Sequence, residues 1–308
     1  MPPANGSART AWSRSSSGRS ATFAGGLPAW SPPDDGHPRA GWNPVRQLAV
    51  LSRAAPGRAG LGLRILAVYQ YTAGALATLW FASLAILFAA LGLDRATYAQ
   101  VRGWARVLHA AAGVRTRAAG LENVPPAGPY VVVSSHTSHL DGPAIALALP
   151  HPVYFVIKKE LARIPLWGHA ALKIGFIAVD RSDSEQARRE MVRAIDTIRA
   201  GRRVLVFPEG TRSPDGHLQA FKKGGFHLAI DAQVPILPVA VNGSYRLFPK
   251  GAPAARPGRI EVVVGPPIAT TGLTKDDVEA LLERTREVIL DLRRRDPDFV
   301  EARRESAT

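Results

Sequence analysis

From Ile65 to Leu93 the chain carries no charged residue over 29 positions, and this stretch narrows its options most sharply. About 20 apolar residues span a bilayer as a helix, so the run is long enough with room to tilt. A buried soluble helix of that length without a single charge is unusual, and the segment predicts membrane insertion. Arg46, Arg53, Arg58 and Arg64 precede it, and Arg95, Arg102 and Arg106 follow. Positive residues normally stay cytoplasmic, so basic flanks on both sides give no crossing direction. A helical hairpin that dips in and returns satisfies both flanks, with Gly74 as the position for a bend. Crossing, dipping and lying at the surface all stay open.

The residues before it, 1 to about 60, are rich in Ser, Gly, Pro and Arg, with seven Arg against Asp34 and Asp35. Such a composition cannot bury a core, and a disordered tail is expected. The apolar run that a cleavable signal peptide places just after a basic start is missing. A start codon assigned too far upstream is an alternative origin for part of the tail. After the apolar run, residues 95–112 place Tyr98, Val101, Trp104, Ala105 and Leu108 on one helical arc, with Arg95, Arg102 and Arg106 on another side. That pattern suits an interfacial helix or a helix packed on a catalytic domain.

From about residue 120, short apolar runs alternate with helical ones. Residues 130–135, 153–157, 176–179, 203–207, 236–241 and 260–264 are expected as buried strands. Helices are expected over 185–200, with Gly201 as the stop, and over 275–295. The predicted fold class is therefore α/β: a mixed, largely parallel sheet flanked by helices, preceded by an N-terminal membrane-associated helical segment. The expected units are a tail (1–60), an anchor with its amphipathic helix (61–112) and a catalytic domain (113–308).

Two of these strands run into chemistry. Val131–Ser135 leads into His136, and Asp141 follows five residues later at a helix start, Asp141-Gly142-Pro143. A turn of that length folds the carboxylate back to the imidazole, where it fixes one tautomer and stabilises the imidazolium. His139, inside the turn, is expected to be a surface or structural residue. Val204-Leu205-Val206 leads into Phe207-Pro208-Glu209-Gly210-Thr211-Arg212-Ser213. There Gly210 permits a sharp turn, Glu209 can accept hydrogen bonds from hydroxyls, and Arg212 can hold a phosphate in two-pronged fashion. Each half alone is weak: the first spacing is common by chance, and the second could be a solvated turn.

Two more blocks complete an order. Gly175-Phe176-Ile177-Ala178-Val179-Asp180-Arg181 ends an apolar strand with a cation, and Val234-Pro235-Ile236-Leu237-Pro238 sets two prolines at a strand margin. Taken together and in this order, over residues 100–270, the four blocks resemble the glycerolipid acyltransferases, and most nearly the bacterial 1-acyl-sn-glycerol-3-phosphate acyltransferases. One position departs, since Ser135 stands before His136 where many members carry Asn. The resemblance implies that His136 is the general base on the acceptor hydroxyl and that Asp141 orients it. It implies that Glu209, Gly210, Thr211, Arg212 and Arg181 bind the phosphorylated acceptor, and that Pro235 and Pro238 border an apolar pocket for the acyl donor. Lysophosphatidic acid and acyl-CoA or acyl carrier protein are the implied substrates, with no cofactor and no metal. The expected setting is the inner or plasma membrane, at an anionic surface, with the catalytic domain facing the cytoplasm.

Composition bears on the rivals. A net charge of +14 favours polyanions, lipid surfaces or nucleic acid alike. No recognisable nucleic-acid-binding motif is present, and no nucleic-acid partner is expected. Without cysteine, thiol catalysis, disulfides and Cys-ligated zinc are excluded. No Gly-x-Ser-x-Gly occurs, which argues against a serine hydrolase. A non-catalytic membrane scaffold would keep the apolar run but has no need for His136. An acceptor other than lysophosphatidate, such as another lysolipid or glycerol-3-phosphate, stays open, as does oligomeric state.

Overall fold

The computed structural model describes residues 60–179, 184–294 and 296. The basic tail as far as Ala59, and Arg181, lie outside the described residues.

Seven strands form one sheet: β1 (Val114–Ala119), β2 (Val131–Ser134), β3 (Tyr154–Lys158), β4 (Ile177–Val179), β5 (Val204–Val206), β6 (Ile236–Asn242) and β7 (Gly258–Val264). They stand side by side in the order β1-β7-β6-β2-β5-β3-β4, and every pairing is parallel except β6 with β7. This is the mixed, largely parallel sheet expected. The longer helices are α1 (Leu61–Ala90), α2 (Asp94–Ala111), α3 (Asp141–Ala148), α4 (Trp167–Ile174), α5 (Ser184–Arg199), α6 (Gly224–Ala232) and α7 (Val278–Arg293).

The sheet is covered on both faces, which is why its central strands read as unbroken apolar runs. Val132, Leu205 and Leu237 point to one side and pack with Ile145 and Leu149 at α3. Val131, Val133 and Ile236 point to the other, against Ile198 of α5, Ala229 of α6 and Ile289 of α7. Alternation along each strand thus builds two apolar layers with β2 buried between them.

The uncharged run forms a single helix, continuous through Gly74, rather than a hairpin of its own. The return is α2. Trp104 Nε1 donates to Thr78 Oγ1 at 3.0 Å, and the Phe81 ring fills the space where a side chain on Gly103 would lie. Gly74 lies beside Leu108 of α2, where a Cβ would meet it at 3.4 Å, an ordinary contact. By length and composition α1 could cross a membrane. Ala77, Ala82 and Ala85 are buried, while Leu76, Leu79, Trp80 and Leu87 are exposed. Near its start, Gln70 grips the backbone of Ala255 twice, through Nε2 to the carbonyl (2.9 Å) and through Oε1 from the N–H (2.8 Å). The helix is therefore fastened to the catalytic body along one side and apolar along the other.

Candidate active site

β2 and β5 are parallel neighbours, so the loops that leave their C-terminal ends emerge side by side. In open α/β sheets this edge is where ligands bind. Ser213 N donates to the carbonyl of His136 at 2.8 Å, tying the two loops together. The end of β6 supplies a third loop.

Asp141 is fully buried, and its carboxylate accepts four hydrogen bonds. Oδ2 takes His136 Nδ1 at 2.9 Å and the N–H groups of Thr137 (2.7 Å) and Ser138 (2.8 Å); Oδ1 takes Ser244 Oγ at 2.5 Å. Ser244 follows β6 and is itself buried. A carboxylate so surrounded is an acceptor only, so Nδ1 carries the hydrogen and Nε2 keeps its lone pair. Phe207 stacks on the same ring, with centroids 4.0 Å apart and planes 17° from parallel. The imidazole is thus held in tautomer by Asp141 and in plane by Phe207. Ser135, the departure from the family pattern, is buried with Oγ facing Val241 N at 3.4 Å, in the gap between β2 and β6.

Glu209, read from the sequence as an acceptor for hydroxyls, turns its carboxylate towards the backbone. It is only 4% exposed, and its two oxygens accept from the backbone N–H of His136 (2.6 Å) and of Gln219 (3.1 Å). Burial pushes its carboxyl up to about 7, opposed by those two N–H groups and by the buried cation Arg293 of α7. Glu209 is a clamp between the β2 and β5 loops. Gly210 turns with φ 73°, a conformation that side chains disfavour, and Thr211 is exposed. Arg212 is partly exposed; partial burial lowers its pKa, and Asp141 opposes that. His139 is exposed at its surface, and partial burial of its ring, with Arg212 nearby, lowers its pKa. His136, His139 and Arg212 therefore share one mouth.

Behind that mouth lies an apolar cavity of about 230 Å³. His136 and Phe207 stand at one part of its lining, and Phe81 and Ala85 of α1, Trp104 of α2 and Ala146 of α3 line others. Neither Pro235 nor Pro238, expected to border an apolar pocket, lines this cavity. Pro238 is buried within β6, where its carbonyl accepts from Gly265 N just beyond the end of the β7 ladder. Its paired neighbour is Val133 of β2, and its ring nitrogen lies on the β7 side, where the ladder has ended and no N–H is needed. Sequence reasoning also missed Ser244, for which no local signal exists, and Phe207 as a partner of the base, although Phe207 opens a block that was singled out. Among the described residues no three His, Asp or Glu side chains converge as metal ligands.

Comparison with known proteins fits this geometry. The family model described as acyltransferase matches residues 115–242. The chain is 41% identical over 181 residues to the mouse (Mus musculus) 1-acyl-sn-glycerol-3-phosphate acyltransferase alpha, covering 58% of this chain and 63% of that relative. It thus spans just under two thirds of that relative's length. To the 1-acyl-sn-glycerol-3-phosphate acyltransferase of Pseudomonas aeruginosa it is 37% identical over 178 residues, covering 56% of this chain and 68% of the relative. The crystal structure of the 1-acyl-sn-glycerophosphate (LPA) acyltransferase PlsC from Thermotoga maritima superposes with a TM-score of 0.65 at 26% identity, over 73% of this chain and 92% of that one.

Proposed function

We propose, from the premise that this chain belongs to the acyltransferase family, that it transfers an acyl chain from a thioester to the sn-2 hydroxyl of 1-acyl-sn-glycerol-3-phosphate. The observation that carries this reading is the free Nε2 of His136 at the mouth of an apolar cavity, with Nδ1 locked on a buried carboxylate.

In this reading His136 Nε2 takes the proton of the acceptor hydroxyl as that oxygen attacks the thioester carbonyl. Asp141 stabilises the imidazolium that forms. When the tetrahedral adduct collapses, the C–S bond breaks and the imidazolium returns its proton to the departing sulfur. The products are phosphatidic acid and the free thiol of coenzyme A or acyl carrier protein. The acyl chain of the donor lies in the cavity. Arg212 holds the acceptor phosphate, joined by Arg181 on the family pattern, and the reaction needs no cofactor beyond the thioester. Water-soluble donors put the catalytic domain on the cytoplasmic side of the inner or plasma membrane. α1 supplies the apolar contact, and Arg95 and Arg106, both exposed, face the anionic surface.

The test is His136→Ala, assayed in purified membranes for acyl transfer from acyl-CoA to lysophosphatidate. A general base contributes about 10²–10⁴-fold, and a loss in that range is expected. Undiminished activity would overturn the mechanism. Running the same assay with lysophosphatidate, other lysolipids and glycerol-3-phosphate fixes the acceptor.

A further inference from the structure

The segment between β3 and α4, with α4 itself, carries features that the proposed reaction leaves unused. Leu161, Ile164 and Leu172 are 40%, 44% and 47% exposed. Lys158, Arg163 and Lys173 stand exposed among them, against one exposed acid, Glu160. Leu166 adopts φ 60°, a conformation costly for a residue with a Cβ and maintained only where its surroundings impose it. Lone apolar residues on a surface need no account, but several on one short segment ringed by cations do.

The cavity places this surface. Leu161 and Trp167 line it from one side, and Phe81, Ala82 and Ala85 of α1 from another. α4 packs directly on α1. The outer side of the segment therefore borders the exposed apolar row of α1. The segment is also braced: a Cβ on Gly168 would meet the carbonyl oxygen of Ala162 at 2.1 Å, so the turn and α4 are in contact through backbone. Ile164 and Leu172 are held outward on a fixed frame, with Leu161 part-exposed at the rim of the cavity, and the charge around them suits lipid phosphates.

We propose that residues 158–173 form a second membrane-docking element, in which Leu161, Ile164 and Leu172 enter an anionic lipid surface while Lys158, Arg163 and Lys173 meet its headgroups. The inference rests on the reading that α1 faces lipid. One helix fixes the depth of a protein in a bilayer but leaves it free to roll about the helix axis. A contact on the neighbouring wall of the cavity removes that freedom and holds the mouth at a constant height above the lipid.

The chain has no cysteine, so Ile164→Cys accepts one environment-sensitive fluorophore at an exposed position. Asp276→Cys, in the exposed turn before α7 on the opposite face of the sheet, is the control. With vesicles of phosphatidylcholine and phosphatidylglycerol, the emission at 164 is expected to shift to the blue, more than with phosphatidylcholine alone, while the emission at 276 stays unshifted. If the protein sediments with the vesicles and 164 keeps its aqueous emission, the second element is wrong and the α1 anchor stands. Protein that fails to sediment overturns both. Equal shifts at 164 and 276 overturn the specific surface, and equal shifts on the two lipid mixtures overturn the role of the cations.

Discussion

Asp141 has no exposed surface and accepts four hydrogen bonds, whereas Arg212 is partly exposed and forms no ion pair with a described residue. The two belong to one site and are built differently. On the proposed reading of His136 as base, that end is assembled before any substrate arrives, by the loops after β2 and β6 meeting on one carboxylate. The cation end, on the proposed reading, is left for a ligand to complete. Preorganisation is worth most where charge develops during reaction, and a cation awaiting an anion retains its full charge for binding. Glu209 joins the two, since its carboxylate holds the backbone of His136 while its own loop carries Arg212.

Asp141→Asn tests the prebuilt end and should have the largest effect. Asn can no longer balance an imidazolium, so kcat should fall about 10²–10⁴-fold with little change in KM for the acceptor. A change confined to KM would mean that Asp141 serves binding. Arg212→Ala tests the open end. Losing a hydrogen bond to a charged group costs about 1.5–3 kcal/mol, so KM for lysophosphatidate should rise about 10- to 100-fold. An uncharged lysolipid should show little of this rise, and an equal rise on both acceptors would remove the phosphate role.

The smallest effect is expected at the joint. Glu209 titrates at about 7 in the folded protein, above the ordinary 4.5, because burial disfavours its charged form. The folded state therefore holds that proton more tightly than the unfolded chain. Its contribution to stability is fully present below the unfolded value and is lost as pH rises towards about 7. Thermal unfolding of the unaltered chain should show that decline, on the order of a few degrees, and Glu209→Gln should flatten it. The same slope in both proteins would mean that another group titrates there.

The sequence made His136, Asp141 and Arg212 legible because each lies within a few residues of the strand that positions it. The strands β2 to β7 were legible for a related reason: both faces of the sheet are covered, so the runs are short and apolar. β1 was missed because Arg115 and Arg117 on its exposed face leave it too few apolar residues to stand out at the edge of the sheet. α3 showed only its start, and α4 and α6 are too short for a helical period to stand out from the apolar runs beside them. What sequence could not reveal depends on distance along the chain. Ser244 lies 103 residues from the carboxylate it serves, and α1 meets Ala255 across 185 residues. The inward turn of Glu209 was invisible for the same reason, since the residues that bury it come from other elements.

The double grip of Gln70 on Ala255 bears on how a soluble form of this protein could be made. Deleting the first helix would remove Phe81, Ala82 and Ala85 from the lining and open the apolar cavity to water. Exchange, not excision, is the route that preserves it: polar residues in place of Leu76, Leu79, Trp80 and Leu87, with the alanine side and Gln70 left intact. Such a protein would have lost its exposed apolar row while keeping the cavity enclosed.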